Sequence, residues 1–453
     1  MTSLTEALAK FIVSLTFEQI PSDIVPRVCN GFTDYAAVTM LSRNDEVTRI
    51  LRQTIVPNAG ISGEARLCFT AARAGAPEAA LVSGTASHAQ DYDDVGLVGI
   101  QPTHPSAAIA PAIFAEAEAL GRSGRDMLTA YVAAFEIWGD LAARQKDAIH
   151  MKGWHPTGTF GSIAAAAACA HLRRLDVEQT ANALGLAATM ASGFIANFGS
   201  MAKPFHAGRA AQNGVLAARL ADAGMTASAD ALESPVGFLK AIAPKGEVDL
   251  ESPPRFGEHW YLTSHGLGFK LFPMCYGAHR ALDGIFALLK DHPFKAEEVE
   301  RVEVHATRLQ YANLVHTDPH TGLDAKFSME FAMAAPILTG RVTRAEVTDD
   351  FVQQPEVRDL LRRVERVYLD EPPQGEKPRD CIRVFLRGGV EREQALRVPM
   401  GHADRPPSTD ALWMKFSDCV EDALSPEDAQ RMFSQLQSLQ DLADFGDLPV
   451  SRD

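Results

Sequence analysis

Four times in the chain a histidine or lysine stands just ahead of a proline that begins an apolar, small-residue run. The segments are THPSAAIAPAIF (His104), WHPTGTFGSIAAAA (His155), AKPFHAGRAAQNGVLAARL (Lys203) and FKLFPMCYGAHRALDGIFALL (Lys270). Proline suits the first position of a helix, because the N–H it lacks has no intrahelical partner there. Each segment therefore predicts a helix entry with a basic residue at its mouth. A helix N-terminus offers free N–H groups and a partial positive charge, which attract anions and favour neutral imidazole over imidazolium. Neutral histidines, ammonium groups and helix ends gathered at one place suit a carboxylate substrate and proton transfer. A single His-Pro is explained by helix initiation alone; the fourfold recurrence is what points to chemistry.

A second cluster is SHAQDYDDVGLVGIQPTHPS, in which Asp91, Asp93 and Asp94 crowd the expected C-terminus of a helix. The helix dipole disfavours negative charge there, and crowded carboxylates raise at least one pKa unless a cation neutralises them. Such a cost marks a functional candidate. The DYDD string is similar to the protonating DxDD of class II terpene cyclases, but the repeated aromatic-rich motifs of those enzymes are missing. Magnesium binding is another use of such a cluster, yet no phosphate-cradling glycine loop accompanies it. Lys203 and Lys270 lie in apolar surroundings, and a buried lysine is costly unless it meets a carboxylate of the protein or of a substrate. Neither has a setting specific to a Schiff base. Cys275 in PMCYG offers a nucleophile, against the plainer alternative of a buried inert thiol. Ser106 and Ser162 lack a GxSxG setting, and GTFGSIAAAAACA has no preceding strand to make it a dinucleotide fingerprint.

These side chains need a scaffold, and the hydrophobic spacing supplies one. Up to about Leu267 the chain reads almost entirely as helix, as in RDMLTAYVAAFEIWGDLAARQ and VEQTANALGLAATMASGF. Frequent Ala, Gly and Ser predict helices packed closely on more than one side. The texture changes after LTSHGLGFKLFP. A helix over 278–290 precedes VERVEVHATRLQY, whose alternation at Val299, Val302, Val304 and Ala306 predicts a strand. Residues 327–339 read as helix, then RVERVYLD, CIRVFLR and EREQALRVPM as strands, the last two joined by a turn at Gly388-Gly389. Helical spacing returns from about Ser408. The expected architecture is mainly α, with an α+β domain (268–402) inserted into a large all-helical domain built from residues 1–267 and 403–453. Crevices between domains are favoured places for small-molecule sites.

Composition narrows the function classes. The chain has 453 residues and a formal net charge of −15, which argues against nucleic acid or an anionic membrane as the main partner. No uncharged apolar run is long enough to predict a membrane span. The N-terminal MTSLTEALAKFIVSLTFEQIP reads as a short amphipathic helix with acidic residues rather than a signal peptide, so a cytoplasmic location is expected. Cys29, Cys68, Cys169, Cys275, Cys381 and Cys419 are scattered singly, which fits reduced thiols and gives no zinc signature. Metal and cofactor are both expected to be absent.

Taken in order, SHAQDYDDV, THPSAAIAP, WHPTGTFG, AKPFHAGRAAQNG, FKLFP and RLQY resemble the MmgE/PrpD family over nearly the whole chain. That family includes 2-methylcitrate dehydratase, cis-aconitate decarboxylase and iminodisuccinate epimerase. The resemblance implies a helical domain from both chain ends, an inserted α+β lid, a homodimer, no required metal and a site between the domains. Against the decarboxylase pattern it carries over Asp91, His104, His155, Lys203, Lys270 and Tyr311, with Lys203, Lys270, Tyr311 and Cys275 expected around the substrate. Two positions depart: Val95 stands where the decarboxylase has Thr, and Cys275 where it has His. THPSAAI likewise departs from the His-Pro-Ser-Asp-Asn string of the propionate-pathway dehydratases. The implied activity is proton removal beside a carboxylate of a small di- or tricarboxylate. Lyase chemistry is favoured, dehydration ahead of decarboxylation, with epimerisation as the alternative and a non-catalytic helical binding protein as the rival of another class.

Overall fold

The computed structural model describes residues 3–56, 63–98, 101–311, 313–370 and 380–452. Met1 and Thr2 of the N-terminal stretch, and Gly99 and Ile100 of the aspartate segment, lie outside the described residues. The chain is mainly helical with a small mixed sheet, and it divides into two compact units, residues 1–269 with 409–453 and residues 270–408. No helix among the described residues is long and apolar enough to cross a membrane.

The first unit is built of helices that follow the apolar spacing. Leu4–Ser14 is the expected N-terminal helix, opened by Ser3, whose side chain accepts from the Glu6 N–H. Gly124–Ala143 is opened by a reciprocal pair of hydrogen bonds between Ser123 and Asp126. The large aromatic side chains Phe32, Tyr35, Tyr131, Phe135, Trp138 and Phe160 fill its core. Around them the small residues let backbones touch. A Cβ added at Gly84 would lie 2.9 Å from Gly208 Cα, closer than real side chains come, so helices Ala76–Ala89 and Ala202–Asp222 meet at their glycines. They run antiparallel, which brings the C-terminal end of one to the N-terminal end of the other.

Two of the four proposed helix entries are as the prolines predict. His104 and His155 are the residues that cap Pro105–Leu120 and Pro156–Arg173. The third is displaced, because the helix begins at Ala202 and Pro204 is its third residue. Pro is tolerated there since first-turn N–H groups have no partner in the helix. The fourth is not a helix entry: the helix His279–Asp291 starts six residues after Pro273. Between them the Cys275 N–H donates to the Lys326 carbonyl at 2.8 Å, which commits that backbone to a tertiary contact.

The first 267 residues also contain strands that helical spacing did not predict. Ala65–Arg66 pairs with Arg73–Ala74, and Gly96–Val98 pairs with Gln101–Thr103, so part of the segment between Asp94 and His104 is a small hairpin. The Val95 N–H donates to the Gly268 carbonyl and the Gly268 N–H to that of Val95, both at 2.7 Å, which ties the hairpin to the end of the unit's first stretch.

The second unit carries a four-stranded sheet in the order Val364–Leu369, Val299–Thr307, Cys381–Leu386, Val390–Ala395. The first pair is parallel and the others antiparallel. The expected alternation holds from Val302 through Val304 to Ala306, all buried; Val299 is buried too, three residues before Val302, because the pairing shifts register between Val299 and Arg301. The last two strands are joined through Gly388 (φ 87°) and Gly389 (φ 80°), left-handed conformations that glycine adopts at little cost. Helices Thr409–Val420 and Pro426–Gln437 then belong to the first unit, with Leu412, Phe416, Met432 and Phe433 in its core.

Candidate active site

The site is assembled where helix Ala76–Ala89 ends and helices Pro105–Leu120, Pro156–Arg173 and Ala202–Asp222 begin. Past Ala89 the chain turns through Asp91, which has a φ of 52°. Its carboxylate accepts from Lys203 Nζ at 2.7 Å, and both side chains are 17% exposed. Lys203 also lies 5.4 Å from the centre of the Phe198 ring, and that ring meets His155 edge-on at 4.9 Å. The ammonium is thus held against an aromatic face and beside an imidazole, still partly open to solvent.

Asp93 faces two histidines. His88 Nδ1 is 2.8 Å and His104 Nδ1 is 3.1 Å from the same oxygen, Asp93 Oδ2. His104 Nδ1 is also 2.9 Å from the Asp94 carbonyl oxygen. Burial alone would push the Asp93 carboxyl up, but the charges and hydrogen bonds of the two imidazoles outweigh it and hold the group well below the usual carboxylate range. Burial lowers His88 to about 4, so its ring is neutral near pH 7. The donor atoms of His88, Asp93 and His104 lie within 4.8 Å of one another, and these three residues could gather around a cation. As placed, both nitrogen-to-oxygen spacings are those of hydrogen bonds rather than of metal ligands, and the His104 Nδ1 also serves the Asp94 carbonyl.

Asp94 turns the other way and secures the helix that His104 caps. It accepts from the Ser106 N–H at 3.1 Å and from the Ser106 hydroxyl at 2.5 Å, and that hydroxyl is 2.7 Å from the Tyr131 hydroxyl. Burial, and then the negative charge of Asp34, raise the Asp94 carboxyl well above its usual range. Asp34 is paired with Lys415 from the helix Thr409–Val420, and Lys415 also donates to the Tyr92 carbonyl at 2.7 Å. Three neighbouring aspartates therefore do three jobs: one holds a lysine, one holds two imidazoles, one caps a helix.

The two proline-flanked histidines are joined through their helix starts, because the His104 N–H donates to Thr157 Oγ1 at 3.1 Å. His155 is fixed by its own N–H to the Gly193 carbonyl at 3.0 Å, and its Nδ1 is 3.1 Å from His206 Nδ1. Its ring lies 6.1 Å from that of His88, which lies 4.4 Å from that of His104. Burial, then the positive charges of neighbouring imidazoles and Lys203, keep His155 well below the ordinary histidine value. His206 is lowered too, by burial and then by the charge of Lys203. Neutral imidazole is the form that can accept a proton, and Lys203 supplies positive charge for a carboxylate.

Of the residues singled out in sequence, Asp91, His104, His155 and Lys203 come together here. Lys270, Cys275 and Tyr311 belong to the second unit. Lys270 and Cys275 are buried there, and the Tyr311 hydroxyl donates to the Val304 carbonyl at 2.5 Å. His88, Asp93, His206 and Lys415 are site residues to which the sequence reading gave no role of their own. For His206 a local signal existed, since it stands three residues after Lys203 on one helix face.

The chain matches the MmgE/PrpD N-terminal domain over residues 6–251 and the MmgE/PrpD C-terminal domain over residues 272–441. It is similar to the cis-aconitate decarboxylase of Mus musculus, 28% identical with 98% of this chain and 92% of the relative covered. The cis-aconitate decarboxylase of Homo sapiens is also 28% identical, with 98% and 93% covered. That of Aspergillus terreus (strain NIH 2624 / FGSC A1156) is 23% identical, with 97% and 94% covered.

Proposed function

Because the chain belongs to the MmgE/PrpD family, we propose that it is a cofactor-independent lyase acting on a small di- or tricarboxylate, with decarboxylation of a cis-aconitate-like acid as its first candidate reaction. The observation that carries this is the joining of His104 and His155 at two helix mouths beside the Asp91–Lys203 pair. Decarboxylation moves ahead of dehydration because the full-length relatives named above are decarboxylases. One carboxylate leaves as carbon dioxide, its bonding electron pair stays on the carbon skeleton, and one proton from an acid completes the product. Lys203 would bind a retained carboxylate and stabilise charge that grows on it in the transition state. A neutral imidazole takes up one proton from water during turnover and passes it to the carbon, so it is neutral again afterwards.

The test is a substrate screen with cis-aconitate, methylcitrate, citrate and iminodisuccinate in deuterated water, read by mass spectrometry. Loss of carbon dioxide with one deuteron in the product is expected from cis-aconitate. Loss of water from methylcitrate or citrate would move the protein to dehydratase chemistry. Deuterium at the α-carbon without a change of formula would indicate epimerisation. No exchange with any of them would overturn the assignment and favour a binding protein.

A further inference from the structure

We infer that Asp93 is a positioning residue: it holds His104 in the tautomer that carries a proton on Nδ1, which makes Nε2 the atom that exchanges protons, and His88 holds Asp93 for that task. The inference rests on the proposed proton-transfer role of His104, since a fixed tautomer matters only if that imidazole reacts. It follows from what the ring faces. His104 Nδ1 stands 2.9 Å from the Asp94 carbonyl and 3.1 Å from Asp93 Oδ2. A peptide carbonyl and a carboxylate accept hydrogen bonds and cannot donate them, so Nδ1 must be the donor and the lone pair of the neutral ring falls on Nε2.

His88 reaches the same Asp93 oxygen, at 2.8 Å, from the last turn of the helix Ala76–Ala89. Its Nε2 is buried and has no hydrogen-bond partner among the described residues. A buried ring left with an orphaned acceptor costs free energy. The return is a second N–H on Asp93. The other charged or titratable groups in the neighbourhood are Asp34 and Lys415, Asp91 and Lys203, Asp94, Tyr131, His155 and His206. Asp91 is engaged with Lys203, Asp94 with Ser106 and Asp34 with Lys415, so Asp93 is the carboxylate that serves the imidazoles. An amide at this position can present an N–H₂ to His104 against the Asp94 carbonyl, which still favours Nδ1–H, and so weakens the choice of tautomer; selecting the wrong one is known to cost an enzyme orders of magnitude in turnover.

The experiment is nitrogen NMR of the full chain carrying ¹⁵N-histidine, with His104 assigned by the signals missing from His104→Gln. Wild-type His104 should show a protonated Nδ1 and a bare Nε2. In Asp93→Asn the proton should move in part to Nε2, the Asp94 carbonyl still holding the rest. With the substrate found in the screen, kcat should then fall about 10²–10⁴-fold while KM changes little. His88→Asn, whose amide N–H can stand in for Nδ1–H, should keep the wild-type tautomer, and His88→Leu should lose it in part. A bare Nδ1 in the wild-type protein, or an unchanged tautomer in Asp93→Asn, overturns the inference. Should Asp93→Asn not fold, the wild-type spectrum and the His88 pair decide. The tautomer is read without substrate, so full activity of His104→Gln would defeat the proposed chemistry and leave the NMR result standing.

Discussion

Lys203 Nζ and Asp91 Oδ1 are 2.7 Å apart, and the aspartate that makes this bond is held in a left-handed backbone conformation. Helices commonly end on such a residue, usually glycine, because other L-residues pay roughly 1–2 kcal/mol there and Asp or Asn pays least. At this position the Asp side chain gives, through its bond to Lys203, what a glycine could not. Asp91→Gly should relieve backbone strain of about 1 kcal/mol while losing a partly exposed ion pair of similar worth. Its melting temperature should move by only a few degrees, and turnover should fall at least about a hundredfold. Lys203→Met should behave alike. Variants that simply unfold in calorimetry would make the pair structural.

His155 is walled in by His88, Phe198 and His206, and it is kept neutral by burial and by positive neighbours. His155→Ala should lose at least about a hundredfold in kcat, the usual contribution of a general acid or base. Circular dichroism should show the helices intact. A rate within a fewfold of wild type would remove His155 from the reaction.

Stability should depend on pH through His88. Its folded value is lowered to about 4 by burial, whereas an unfolded histidine titrates near 6.5. Between those values the unfolded chain binds the proton that the folded ring refuses, so stability is full above about 6.5 and is lost as pH falls toward 4. The loss is on the order of 3 kcal/mol. Asp94, with its raised value, acts in the opposite direction from about 3.8 upward, so the comparison must be made against a variant. The difference in melting temperature between wild type and His88→Gln should shrink steadily from pH 6.5 to pH 4. A constant difference would mean that His88 takes up its proton in the folded state as readily as in the unfolded one.

Chelation separates a hydrogen-bonded cluster from a coordination shell at His88, Asp93 and His104. Exhaustive EDTA treatment should leave turnover unchanged. Were activity lost and restored by zinc or magnesium, the three residues would be ligands, with nitrogens and oxygens about 2.0–2.2 Å from a zinc ion.

The sequence made visible those parts that obey local rules. Proline at the first helical position placed His104 and His155 correctly, and glycine pairs with positive φ placed the Gly388-Gly389 turn. The rule failed at Pro273, where a tertiary contact of the Cys275 backbone takes precedence over helix initiation. The hairpin Gly96–Val98 with Gln101–Thr103 escaped because three-residue strands carry too little alternation to register. Asp93 was visible only as one of three like carboxylates. What distinguishes it is His88, five residues earlier, and that separation matches neither the 3.6-residue nor the two-residue period by which facing side chains are recognised. Lys415 was hidden more deeply, since its carboxylate partner stands 381 residues away.

That separation has a consequence for how the protein comes into being. Synthesis proceeds from the N-terminus, so the ribosome must finish the whole of residues 270–408 before Lys415 is made. Until then the pocket that receives Asp34, next to Asp94, lacks its ammonium, and a desolvated carboxylate without its counter-charge is disfavoured. A nascent chain or one cut short before this helix holds every histidine of the cluster yet leaves its acidic floor unbalanced. The charge balance of the cluster's floor is thus completed only late in translation, when the helix Thr409–Val420 has been made.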